Sequence, residues 1–124
     1  GGAPVVSLYG PATTVARGAT ITMNLHRADG TVIDHQVIET AANAHQISLR
    51  TGCFCNPGAG EMALGLARDE IESCFLRGGS GMTYNDFRRC IDGKSSGALR
   101  ISFGVASNYN DAAAFARFVE DFVE

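Results

Sequence analysis

The stretch GALRISFGV, residues 97 to 105, together with the segment that follows it, constrains the fold more than any other part of the sequence. Leu99, Ile101 and Phe103 alternate with Arg100 and Ser102, and this period of two predicts a strand with one buried face. Apolar residues then recur at i, i+3, i+4 and i+7, the period of an amphipathic helix: Phe115, Phe118, Val119 and Phe122. Because each element must bury its apolar side, the sequence predicts a domain in which helix packs on sheet.

Two further segments predict strands, and the first residues of the chain predict neither element. ATITMNLH, residues 19 to 26, is rich in β-branched residues, and QISLR, residues 46 to 50, alternates Ile47 and Leu49 with polar residues. Residues 1 to 18 are rich in Gly, Pro, Ala and Thr and predict an irregular lead-in. Within this lead-in, SLYGP predicts a short extended piece that ends at a turn.

Capping residues indicate where the other helices begin. Asp34 can cap a helix that ends near His45, and Thr83 can cap a short helix after the GGSG linker. Residues 61 to 77 predict one or two short helices with a possible break at Asp69. This mixed order of elements predicts an α+β fold, a small antiparallel or mixed sheet with helices packed on one face.

Charge and hydropathy exclude several classes of partner. The net charge of -3 and the lack of a basic cluster beyond Arg88 and Arg89 argue against nucleic acid. No apolar run approaches the roughly 20 residues that cross a bilayer, so we expect no membrane association. The first residues, GGAPVVSLYG, do not have the pattern of a signal peptide and predict a cytoplasmic chain cut from a longer protein.

The stretch RTGCFCNPGAG, residues 50 to 60, places Cys53 and Cys55 one residue apart in a loop rich in glycine. Without a secretion signal, we expect these two cysteines and also Cys74 and Cys90 to be reduced. Cys-x-Cys is a less usual zinc motif than Cys-x2-Cys, and the other two cysteines are isolated on predicted helices, so we expect no metal site. The loop thiols could be buried structural residues or reactive thiolates, and the residues alone leave both uses open.

Arg100 and the three histidines are the other candidates for chemistry. A guanidinium that projects from an otherwise apolar strand can hold a carboxylate in bidentate fashion, although a solvated or salt-bridged arginine is the commoner use of such a position. His26, His35 and His45 lie in different predicted elements, and we interpret them as ordinary surface residues.

Two long motifs in this sequence resemble a known family. RTGCFCNPGA and, some forty residues later, IDGKSSGALRISFGVASNYNDAAAFARFV are similar to the C-terminal small domain of molybdenum cofactor sulfurases, within the class V aminotransferase and cysteine desulfurase group. The resemblance covers roughly residues 5 to 124. It implies that residues 1 to 18 lead in from a truncated large domain and that residues 19 to 124 form the small C-terminal domain.

The resemblance also implies a cofactor and an assembly. These enzymes bind pyridoxal 5'-phosphate through a Schiff-base lysine in the large domain and are usually homodimers. The single lysine of this sequence, Lys94, lies in the wrong context to replace that residue. The chain alone is therefore expected to be inactive.

The same resemblance assigns roles to four residues. The desulfurase pattern Arg-x-Gly-x-x-Cys matches Cys55, which implies that this thiol takes sulfur from L-cysteine as a persulfide and leaves alanine. Cys53 is then an auxiliary thiol or a bystander. Arg100 matches the arginine that binds the substrate carboxylate, and Arg50 matches a second arginine near the site. The sulfur would pass to an acceptor protein or cofactor.

Two other functions remain open from the sequence. The chain could be part of a class V aminotransferase or lyase in which the cysteines are incidental. It could also be a non-catalytic zinc or protein-interaction module.

Overall fold

A computed structural model describes residues 4–52, 62–91 and 97–123 of the chain. Its strands are β1 (Val6–Tyr9), β2 (Thr20–Leu25), β3 (Arg50–Gly52) and β4 (Ala98–Ser102). They form one antiparallel sheet in the order β1-β2-β4-β3. The helices are α1 (His35–Ala44), α2 (Arg68–Gly78), α3 (Tyr84–Cys90) and α4 (Tyr109–Val123), with a 3₁₀ turn (Gly79–Gly81) between α2 and α3. The predicted α+β class is confirmed.

The apolar core lies between one face of the sheet and the helices α1 and α4. β2 and β4 place alternate side chains on this face, and both helices turn their apolar stripes toward it, as the two sequence periods predicted. Burying each large aliphatic side chain here contributes about 1.5–3 kcal/mol. The buried residues of the cluster are Met23, Leu25, Ile33, Ile38, Ala42, Leu99, Ile101, Phe118 and Val119.

The two predicted N-caps are confirmed. The Asp34 side chain accepts a hydrogen bond from the backbone N–H of Gln36 at the start of α1. Before α3, the Thr83 hydroxyl accepts from the backbone N–H of Asp86, and the Asp86 carboxylate accepts in return from the backbone N–H of Thr83. Each cap satisfies donors that the first helical turn leaves without a partner.

Several element boundaries differ from the sequence prediction. The lead-in contains β1, which pairs with β2, so its extended piece is a strand of the sheet. The predicted strand at residues 46 to 50 is wrong except for its last residue, because Gln46 has φ 59° and ends α1, and β3 starts only at Arg50. Asp69 does not break a helix but lies in the first turn of α2, where a carboxylate is favourable for the helix dipole.

The expectation that all four cysteines are reduced is wrong for two of them. Cys74 of α2 and Cys90 of α3 form a disulfide, with their Cα atoms 5.7 Å apart. The two residues are separated by 16 positions in the sequence, but the short turn Gly79–Gly81 brings the two helices together. We call the unit formed by α2, this turn and α3 the helical hairpin.

No helix in the described ranges combines the length and the apolar character that a membrane-spanning helix requires.

Candidate functional site

The strand register brings Arg50 and Arg100 directly opposite each other. Arg50 of β3 pairs with Arg100 of β4, which in turn pairs with Thr22 of β2. Thr22 pairs with Tyr9 of β1, so these four residues form one row across the whole sheet. Leu99 is buried in the core, and since side chains alternate along a strand, the row lies on the opposite face of the sheet.

The two arginines form a concentration of positive charge on this face. Directly opposed side chains of an antiparallel pair have Cβ atoms about 4.5–5.5 Å apart, and like charges in such a pair destabilise the sheet. Both side chains are exposed. Within the described ranges, the ion pairs are formed by other arginines: Arg68, Arg88 and Arg89. The positive charge of Arg50 and Arg100 is therefore available to an anion.

The residue that follows Arg50 binds an acidic group on the other face of the sheet. Thr51 follows Arg50, and its hydroxyl donates a hydrogen bond of 2.7 Å to Oε2 of Glu39 in α1. This bond fixes β3 to the helix layer. It also keeps the Glu39 carboxylate on the side of the sheet away from the arginines.

A buried amide supports the same face. Asn24 in the middle of β2 is only 2% exposed. In the amide orientation that satisfies its partners, Oδ1 accepts from the Tyr9 hydroxyl at 3.0 Å, and Nδ2 donates to the backbone carbonyls of Gly97 at 3.2 Å and Met23 at 3.0 Å. Burial raises the pKa of Tyr9, so its hydroxyl is protonated at neutral pH and can donate to Asn24. This network ties β1 and β2 to the residue that precedes β4.

His35 is buried, so its interpretation as a surface residue is wrong. Its ring contacts Gly97: a Cβ atom on Gly97 would lie 2.8 Å from Cε1 of His35 and 2.8 Å from the carbonyl oxygen of Gly52. Gly97 is thus required by the close approach of β3 and the His35 ring. Gly52 and Ala98 form the cross-strand pair two residues along from Arg50 and Arg100, so His35 packs at the other end of this three-pair ladder from the arginines.

The other two histidines have structural partners. The His26 ring lies 2.8 Å from the Ser7 hydroxyl and 3.1 Å from the carbonyl oxygen of Gly30. His45 is exposed at the end of α1, and its ring packs on Phe118.

Three of the residues singled out from the sequence, Cys53, Cys55 and Lys94, lie outside the described residues. In the ranges that the structure does describe, no three His, Cys, Asp or Glu side chains are grouped so that they could hold a metal ion.

The described ranges contain no lysine side chain that could form a Schiff base with pyridoxal phosphate, because Lys94, the single lysine of the sequence, lies outside them. Their positive groups on the open face, Arg50 and Arg100, suit a small carboxylate.

An apolar groove lies on the opposite side of the sheet from the arginines. It is formed where β1 and β2 meet α4 and includes Val6, Met23, Phe115 and Val119. This groove is thus separate from the two arginines, which lie on the exposed face of the sheet.

The sequence singled out both arginines as candidates, and their role stays a prediction, but it did not indicate the residues that support their strands. Tyr9, Asn24 and His35 were not predicted to belong to the site. A signal was present for Asn24, because an amide within the otherwise β-branched and apolar run ATITMNLH requires buried hydrogen-bond partners. No comparable signal marked His35.

These features define a small α+β domain with an open sheet face that bears two opposed arginines. Comparison with curated proteins shows that the chain is homologous to one segment of proteins named molybdenum cofactor sulfurase, which confirms the predicted resemblance to these sulfurases. No family model matches the chain. No solved structure matches it either.

Three relatives illustrate the extent of the similarity. The rice protein (Oryza sativa subsp. japonica) is 42% identical over 112 residues, which are 90% of this chain and 13% of the relative. The tomato protein (Solanum lycopersicum) is 40% identical over 116 residues, 94% of this chain and 14% of the relative. The human protein is 36% identical over 123 residues, 97% of this chain and 14% of the relative. The chain therefore spans only a small part of the length of the relatives it matches.

Proposed function

We propose that this chain is the small domain of a cysteine desulfurase-like sulfurtransferase, in which Arg100 and Arg50 bind the carboxylate of L-cysteine. The observation that carries the proposal is the β3–β4 register, which puts the two arginines opposite each other on the open face of the sheet. The like-charge pair lowers the stability of the sheet by about 0.2–1 kcal/mol, and a bound anion offsets this loss. An amino-acid carboxylate fits this requirement.

The guanidinium geometry favours a carboxylate over other small anions of the same charge. A guanidinium offers a planar fork of N–H donors that matches the two carboxylate oxygens, and such charge-assisted bonds contribute about 1.5–3 kcal/mol. Arg100 lies in the interior of the sheet and is flanked by two buried residues, Leu99 and Ile101. It is therefore the better-positioned of the two arginines, and we assign it the direct contact, with Arg50 reinforcing the charge.

We further propose that Cys55 is the nucleophile. Its thiolate would attack the sulfur of L-cysteine, form a persulfide on the enzyme as the carbon–sulfur bond breaks, and leave alanine after protonation of the carbon. Pyridoxal phosphate supplies the chemistry that makes this bond labile, and we expect a large domain elsewhere in a longer, homodimeric protein to hold it. Cys53 is a candidate auxiliary thiol. The support for these roles is the sequence match of RTGCFC to the desulfurase pattern.

The names of the relatives support sulfur transfer rather than amino transfer. They are called molybdenum cofactor sulfurases, and this makes a molybdenum cofactor the first candidate for the sulfur acceptor, with an acceptor protein as the alternative. We expect the reaction to take place in the cytoplasm. Membership of the class V aminotransferases stays a prediction.

The test is a kinetic comparison of variants of the protein as its gene encodes it, with L-cysteine as substrate and alanine and persulfide as products. Arg100→Lys keeps the charge but loses the fork, so we expect KM to rise by about tenfold or more, the equivalent of one charge-assisted hydrogen bond. Arg89→Lys, on the exposed surface of α3, is the matched control and should leave KM unchanged. Cys55→Ser should abolish persulfide formation, whereas Cys53→Ser should retain it.

The free energy of unfolding provides a second, independent test of the role of Arg100. Arg100→Leu removes the like-charge opposition, so it should lose carboxylate binding while the free energy of unfolding stays the same or rises slightly. Normal alanine and persulfide formation by Cys55→Ser would overturn the assignment of the nucleophile. Turnover of a non-sulfur amino acid without turnover of cysteine would favour the aminotransferase or lyase, and stoichiometric zinc in the purified protein would favour the non-catalytic module.

A further inference from the structure

The helical hairpin lies outside the apolar core that holds the other elements together. Its residues contribute nothing to the described core cluster, which is built from β1, β2, β4, α1, α4 and adjacent segments. The ring of Phe75 packs at a tilt of 32° against the ring of Phe87, with centroids 5.7 Å apart, but Phe75 itself is 59% exposed. The disulfide between Cys74 and Cys90 is therefore the strongest link between α2 and α3.

Both helices of the hairpin are too short to be stable by themselves. α2 has 11 residues and α3 has 7, whereas isolated helices shorter than about 12–15 residues are marginal in water. The linker between them is a glycine-rich turn that adds no apolar contact of its own. Without the disulfide, α3 keeps its capping box, the ring contact of Phe87 with α2 and contacts with the start of α1.

An ion pair and a ring contact join α3 to the start of α1. Nη1 of Arg88 lies 3.0 Å from Oδ2 of Asp34, and the Asp34 side chain is only 8% exposed. The ring of Tyr84 packs edge-on against the ring of His35, with centroids 6.0 Å apart. Asp34 is the N-cap of α1, and His35 packs on Gly97 beside the Gly52–Ala98 end of the β3–β4 pair. The disulfide therefore holds in place a helix that contacts two buried residues at the start of α1, one of which packs against the strands that carry the arginines.

We propose that the Cys74–Cys90 disulfide is a redox-controlled clasp. When it is closed, α3 is held against Asp34 and His35, and the start of α1 and the adjoining ends of β3 and β4 are held with it. When a small dithiol or a dithiol protein reduces it, α2 and α3 separate and this grip is released. The proposal goes beyond the sulfurtransferase function and does not depend on it.

The opening step is an ordinary thiol–disulfide exchange. Cys74 is 1% exposed and Cys90 is partly exposed, so the thiolate of the dithiol attacks Sγ of Cys90 and Cys74 leaves as a thiolate. The second thiol of the reductant then attacks its own sulfur in the mixed disulfide and releases Cys90. The protein gains two electrons and two protons, and the dithiol becomes a cyclic or internal disulfide.

Hydrogen exchange of the protein as its gene encodes it tests the clasp, with reduced dithiothreitol in one sample and its oxidised form in the other. In the reduced sample we expect amides of α2, α3 and the first turn of α1 to exchange faster by about tenfold or more, because these segments open locally. Amides of β2 should exchange at the same rate in both samples, since the core does not involve the hairpin. Equal exchange of α3 in the two samples would overturn the proposal, as would free Cys74 and Cys90 thiols in the oxidised sample.

Two sets of variants separate the clasp from the loop cysteines. A protein with Cys74→Ser and Cys90→Ser should show the fast exchange in both buffers. A protein with Cys53→Ser and Cys55→Ser should keep the full response to the reductant, and loss of the response there would assign it to the loop and overturn the clasp. The comparison of buffers on the unmodified protein needs no substitution, so it decides the question even if a variant does not fold.

Discussion

The sheet layer and the helical hairpin of this small domain are stabilised in different ways. The sheet layer, formed by β1 to β4 with α1 and α4, has a continuous apolar core between the sheet and its two helices. The hairpin has one disulfide, one partly buried ion pair and a few ring contacts. The stabilisation from apolar burial is non-directional and is spread over many atoms of the core. The hairpin depends on a few individual bonds, and each of these can be broken by a single chemical change.

This difference has a consequence for function. The proposed carboxylate site requires strands that keep a fixed register, and β4 with its buried Leu99 provides that rigidity. The hairpin contacts His35, which packs at the other end of the β3–β4 pair from the arginines, and it can be released by reduction or by loss of one ion pair. Because the sheet layer has its own core, release of the neighbouring helix can regulate the site without unfolding the domain. Three experiments with their control variants separate the two regions.

The largest effect is expected in the core of the sheet layer. Leu99→Ala removes a fully buried side chain from the centre of β4, and we expect a loss of about 2–5 kcal/mol in the free energy of unfolding, because the cavity is only partly refilled. Denaturant unfolding followed by circular dichroism measures this loss.

The hairpin offers the matched control for that experiment. Leu76→Ala in α2 removes the same atoms from a side chain that is 87% exposed, so its effect should stay within about 0.5 kcal/mol. Similar losses for the two leucines would contradict the division of the domain into a buried core and a hairpin outside it.

An intermediate effect is expected where the two regions meet. Asp34→Asn keeps a good N-cap for α1 but removes the charge that pairs with Arg88, so the cost of about 1–3 kcal/mol should come from the lost pair alone. A double-mutant cycle with Arg88→Met measures the coupling energy. If the two single substitutions are additive, then the ion pair does not hold α3 to α1.

The smallest effect is expected at the capping box of α3. Hydrogen bonds from the Thr83 side chain and backbone lower the pKa of Asp86 below its ordinary value of 3.8. Because the folded state binds this proton more weakly than the unfolded state, the stabilisation is present above about pH 4 and is lost as the pH falls through the lowered pKa.

Hydrogen exchange of α3 between pH 6 and pH 3, corrected for intrinsic exchange rates, detects this loss. Asp86→Asn should remove the pH dependence of α3, while Asp121→Asn, an exposed substitution in α4, should leave it unchanged. An α3 whose protection does not change across this range would contradict the role of the Asp86 carboxylate in the cap.

The sequence predicted the elements whose signals are local. The alternation around Arg100 and the aromatic stripe of the last helix specify which side of each element is buried, and the caps at Asp34 and Thr83 mark where helices begin. The same local patterns predicted the α+β class. The motif RTG and the strand ALRIS also drew attention to both arginines of the site.

Boundaries and pairings were harder to predict because they depend on partners that are distant in the chain. Ile47 and Leu49 alternate like strand residues and pack against the core, but they do not join the hydrogen-bond ladder, because the chain leaves α1 through Gln46 in a left-handed conformation. Cys74 and Cys90 were misjudged because no local pattern shows that two helices will meet. Cys53, Cys55 and Lys94 lie outside the described residues, so their roles stay predictions.

The sequence by itself therefore determined the periodicity, the caps and the candidate residues of this protein, since these follow from the conformational preferences of neighbouring residues. Only the tertiary structure decided that Arg50 stands opposite Arg100 and that a disulfide closes the hairpin. It also decided that Asn24 and His35 pack against the residues beside the strands of the two arginines. The physical reason is that strand register and helix packing are fixed by the burial of the whole apolar core. The identity of a single residue therefore does not show which distant residue it will contact.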